Sequence, residues 1–169
     1  MSPTAVAAGG ETTDGFPDGY AGLHQIEPLC QPEDVPDRVS FGYDKEVARY
    51  YPIFRRLKDE RGLNGLRFQM GVPTGLALGF GFPNPMDRVR FTPAFNTVIA
   101  REVNAMLEKI GDDIVIQLEL PPEVYAAFNM PERMEPLSLG PVLDLVSRIT
   151  PGARIGLHLC VGDLHNEAL

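Results

Sequence analysis

Near the C-terminal end, the stretch RIGLHLCVG carries His158 and Cys160 two residues apart. In an extended strand that spacing sends both side chains to one face. An imidazole and a thiolate together are half of a zinc site, or the base and nucleophile of a covalent mechanism. Zinc needs at least three protein ligands, and Asp163, His165 and Glu167 follow closely enough in HLCVGDLHNE to supply donors. The plainer alternative is a core cysteine beside a hydrogen-bonded histidine. Glu119 stands at the end of IVIQLEL, just before Pro121 and Pro122, where it could bind a substrate ammonium or act as acid or base; simple solvation is its alternative. Gln117 and Gln69 would add neutral hydrogen bonds beneath it.

Three strands must position these groups. Arg154 to Gly162 alternates Ile155, Leu157 and Leu159 against Gly156, His158 and Cys160. LRFQMGV opposes Leu66, Phe68, Met70 and Val72 to Arg67, Gln69 and Gly71, and IVIQLEL opposes Ile114, Ile116, Leu118 and Leu120 to Val115, Gln117 and Glu119. Each strand thus separates an apolar face from a polar one. Between the first two, Thr92 and Pro93 read as the N-cap and first residue of a helix whose stripe runs through Phe95, Ile99, Val103, Met106 and Ile110 to Gly111. A strand, a crossover helix and a strand imply parallel pairing. Helices are also expected from Asp44 to about Arg61, broken or kinked at Pro52, around Glu123 to Phe128, and from Gly140-Pro141 to Ile149. The segment LALGFGFPNPMD reads as a long loop whose Phe80 and Phe82 pack or line a pocket.

The polar strand faces favour a barrel-derived α/β fold over a doubly wound sheet, which buries both faces of its central strands. The expected architecture is a partial (β/α)8 barrel over residues 39–169, preceded by an irregular leader over residues 1–38 that contains His24 and Cys30. A full barrel takes about 250 residues, so 169 cannot close one, and the missing strands would come from a longer protein or from another chain. A net charge of -8 disfavours a nucleic-acid partner. The sequence has no run of 18 apolar residues and begins without a basic and apolar signal pattern, so cytoplasm is the expected location and a membrane is not an expected partner.

FQMGVPTG, MLEKIGDDIVIQLELP and RIGLHLCVGD, in that order, resemble the C-terminal catalytic barrel of the cobalamin-independent methionine synthase family, within the uroporphyrinogen decarboxylase-like superfamily. The resemblance covers roughly residues 41–163. It implies zinc-dependent, thiol-activating methyl transfer from a folate-type donor to a small-molecule thiol substrate. His158 and Cys160 look like the first two zinc ligands of the family's His-x-Cys motif, and Glu119 is similar to the acidic residue that holds the substrate amino group. Leu120 stands where the family has a second carboxylate, and the family's later glutamate and cysteine ligands have no counterpart. The competing readings are a decarboxylase-like lyase and a non-catalytic interaction module completed by a homo-oligomer or another chain.

Overall fold

The computed structural model describes Ala5–Val6, residues 25–133 and residues 135–160. Two short strands, β1 (Ala5–Val6) and β2 (Gln25–Ile26), pair antiparallel. A helix of one turn, α1 (Val35–Arg38), and the 18-residue α2 (Tyr43–Glu60) come next. The body then alternates β3 (Phe68–Pro73), α3 (Gly75–Gly79), α4 (Pro85–Ile110), β4 (Ile114–Glu119), α5 (Pro121–Asn129), α6 (Gly140–Ser147) and β5 (Ile155–His158). The last three strands form one parallel sheet in the order β3-β4-β5, as the crossover reading requires.

The expected partial barrel is not what these strands build. They form an open three-stranded sheet with helices packed against its apolar face. Alternation fixes which side chains share a face, and that part of the reading holds. Whether a sheet curls into a barrel depends on strand number and shear, which alternation does not encode.

Val72, Ile114, Ile116 and Leu118 from the sheet pack against Val47 of α2, Ile99, Ala100, Val103 and Met106 of α4, and Leu145 of α6, all of them buried. A second cluster gathers Val35, Phe82, Phe91 and Val98, with Phe82 and Phe91 meeting edge-on at 5.0 Å between centroids. Phe82 is therefore packing, not a pocket wall. Cys30 packs against this cluster, and both cysteines are free thiols.

Pro52, expected to break or kink its helix, and Pro93, expected to open one, both sit inside helices, the continuous α2 and α4 respectively. Helix α4 begins a full two turns earlier than Thr92, at Pro85, where Asn84 caps it by accepting from the Met86 N–H at 3.0 Å. The stretch expected to be loop also holds α3, capped by Thr74, whose Oγ1 accepts from the Ala77 N–H at 3.2 Å.

Buried polar contacts tie these elements together. Glu102, on α4, accepts from Ser40 Oγ at 2.9 Å, from the Phe41 N–H at 2.8 Å and from the Tyr43 N–H at 2.9 Å, pinning the entry to α2 onto α4. Lys58 meets Asp113 at 2.5 Å, and the Tyr51 hydroxyl donates to the same carboxylate at 2.9 Å, fixing the end of α2 beside the start of β4. Gly75 lies so close to α4 that a Cβ there would fall 2.3 Å from the Thr92 carbonyl oxygen.

A candidate acid–base dyad on the open sheet face

The face of the sheet turned away from the helices carries Gln69 and Gly71 from β3, Gln117 and Glu119 from β4, and Gly156 and His158 from β5. Strand register sets their rows: Gly71, Gln117 and Gly156 are paired across the sheet, as are Pro73, Glu119 and His158. Glu119 and His158 thus become neighbours at the C-terminal ends of adjacent strands, although 39 residues separate them in the chain.

Their side chains join in a line of hydrogen bonds. Gln69 Nε2 donates to Gln117 Oε1 at 2.9 Å, and Gln117 Nε2 donates to Glu119 Oε1 at 2.8 Å. The other carboxylate oxygen, Oε2, bonds His158 Nδ1. Gly71 leaves room for this arrangement, since a Cβ there would approach Glu119 Oε1 to 3.0 Å. At Gly156 the space where a Cβ would stand is open.

The dyad remains accessible to solvent, with side-chain exposures of 32% for Glu119 and 49% for His158. Partial burial alone would raise the Glu119 carboxyl, but the hydrogen bonds from Gln117 and His158 and the charge of His158 outweigh it and hold the group below its ordinary value. Glu119 is therefore ionised at neutral pH. A carboxylate only accepts hydrogen bonds, so neutral His158 must carry its proton on Nδ1 and leave a lone pair on Nε2.

The sequence-derived residues thus divide. Glu119, Gln117, Gln69 and His158 come together as one polar array. Cys160 follows β5 as a partly exposed free thiol and is not part of the hydrogen-bonded line. His158 and Cys160 supply two donors where zinc takes at least three, and no group of three or more His, Cys, Asp and Glu side chains able to hold a metal ion occurs among the described residues. Asp163, His165, Glu167 and His24 lie outside those residues.

One buried group escaped the sequence reading. Glu123, in the first turn of α5, is 2% exposed and accepts a hydrogen bond from Thr74 Oγ1. The only local signal was a glutamate directly after two prolines, and that says nothing of its distant partner.

No protein family, curated protein or solved structure matches the chain. The methionine synthase resemblance is thereby overturned, and the open sheet removes the barrel it required. Zinc-dependent methyl transfer and the superfamily's lyase alternative fall with it. The strand-end motifs that suggested the family are short, and the alternation and turn chemistry of any parallel βα unit produce much the same pattern. No helix among the described residues is long and apolar enough to cross a membrane.

Proposed function

We propose that the open sheet face binds a small polar molecule across the Gly71, Gln117 and Gly156 row, and that His158, oriented by Glu119, takes or returns a proton at it. The Glu119–His158 contact at adjacent C-terminal strand ends carries this reading. Ligands of open parallel α/β sheets bind outside the carboxyl ends of the strands. A histidine whose Nδ1 is held by a carboxylate presents Nε2 in a fixed direction, from which a proton can be taken or returned.

The glycines at Gly71 and Gly156 keep the floor of the row low on both sides of Gln117. A ligand lying there meets the Gln117 amide and the Glu119 carboxylate, which suit a hydroxyl or amine group. The array lies on open sheet; a cleft of about 320 Å³ opens elsewhere, at the N-terminal ends of β4 and β5, lined by Gly111, Asp112, Thr150 and Arg154 among others.

Hydrolysis of p-nitrophenyl acetate, an ester that reports an available imidazole nitrogen, tests the reading. The wild-type protein should exceed His158→Gln by at least about tenfold at neutral pH, below the usual contribution of a positioned acid or base because the site is open to water. Glu119→Gln should fall between them. Equal rates for wild type and His158→Gln would overturn the proposal.

A further inference from the structure

We infer that Glu123 is a proton-operated latch: its neutral carboxyl docks α5 against Thr74 at the start of α3, and its ionisation releases that helix. Burial and pairing carry the inference. Glu123 is 2% exposed, one carboxyl oxygen accepts from Thr74 Oγ1, and the other, Oε2, has no hydrogen-bond partner among the described residues. A buried carboxylate with one unpartnered oxygen is costly, whereas a neutral carboxyl needs fewer partners.

Helix α5 gives the charge little help. Its first two residues are Pro121 and Pro122, which have no N–H groups, so the donors that a helix N-terminus offers an anion are missing there. Burial raises the Glu123 carboxyl to about 7, against smaller lowering effects from Thr74 and from its own backbone N–H. Among the described residues, no neighbouring cation compensates. Helix α3 carries no titratable residue, Tyr125 is the only other one on α5, and Glu132, Arg133 and Glu135 in the adjoining turns are exposed. Glu119, the nearest acid before α5 in the chain, is engaged by Gln117 and His158.

The rest of α5 is lightly held. Only Pro122, Glu123 and Ala126 are buried on it, and Phe128 is 80% exposed. A helix anchored this way opens at a free-energy cost well below that of global unfolding.

The sign follows from the raised value. Docking is strongest below about pH 4.5, where Glu123 is protonated both docked and released; it weakens as pH rises from there to about 7, and levels off above that. Between pH 5 and pH 8 the opening equilibrium should rise roughly 70-fold.

Amide hydrogen exchange across residues 121–129, corrected for the intrinsic effect of pH on exchange, reads this directly. In the wild-type protein, protection should drop by about that factor from pH 5 to pH 8. In Glu123→Gln, which keeps the shape without the charge, protection should be independent of pH. A carbon-detected titration of the Glu123 carboxyl in the same samples covers the case in which the variant folds poorly. The proposal is overturned by pH-independent protection in the wild type, by an undiminished pH step in Glu123→Gln, or by a Glu123 midpoint near 4.5.

Discussion

Replacing Glu102 probes the contact that fastens α2 to the rest of the molecule. Its carboxylate accepts from Ser40, Phe41 and Tyr43 at 2.8 to 2.9 Å, with the side chain 4% exposed. Each hydrogen bond to a charged group contributes about 1.5 to 3 kcal/mol. Glu102→Ala removes all three and strands two backbone donors; because the loop is only partly buried and water can reach it, a loss of about 3 to 5 kcal/mol is expected. Glu102→Gln turns one acceptor into a donor facing a donor, for a loss of about 1.5 to 3 kcal/mol. With a urea slope near 2 kcal/mol/M, the midpoints should fall by about 2 M and 1 M respectively. The Tyr43 phenol adds a local readout. It is raised by burial and, second, by the Glu102 charge, so Glu102→Gln should lower it by the second contribution alone. A wild-type urea midpoint in Glu102→Gln, at unchanged slope, would refute the reasoning.

Gly75→Ala should destabilise the fold by about 2 kcal/mol or more in thermal or urea unfolding, because the added methyl meets the α4 backbone at 2.3 Å, where no flexible side-chain end can give way. Lys58→Met should cost about 1 to 3 kcal/mol near neutral pH, less than a fully buried pair because Asp113 is still 19% exposed. The Lys58 hydrogen bond is the main cause that holds Asp113 below its ordinary value, with burial opposing it. The stability this pair contributes is therefore complete above the unfolded carboxyl value of about 3.8 and is lost as pH falls through the lower folded one. Urea midpoints of wild type and variant should converge at strongly acidic pH.

The strands were legible because a period of two needs only a few residues to declare itself, and the polar faces of β3, β4 and β5 were assigned correctly on that basis. Helix α4 was misplaced at its start because the chain offers two cap-and-proline signals, Asn84-Pro85 and Thr92-Pro93, and the second lies inside the helix. Pro93 is tolerated there as α4 packs along both apolar clusters; tertiary burial outweighs a local penalty of about 3 kcal/mol. The site was half legible. Gln117, Glu119 and His158 could be placed on polar faces, but the pairing of Glu119 with His158 follows from register, which alternation leaves undetermined. Reading that polar face as the interior of a barrel imposed a curvature that no residue specifies. Contacts such as Glu102 with the loop at residues 40–43, or Glu123 with Thr74, join positions too far apart for any local pattern to announce.

The dyad itself is tested most directly by the tautomer of His158, read from long-range proton–nitrogen correlations of the imidazole ring at a pH where the ring is neutral. The expected result is a proton on Nδ1 and a bare Nε2, with the preference weakened in Glu119→Gln. A wild-type spectrum with the proton on Nε2, or one that Glu119→Gln leaves unaltered, would contradict it.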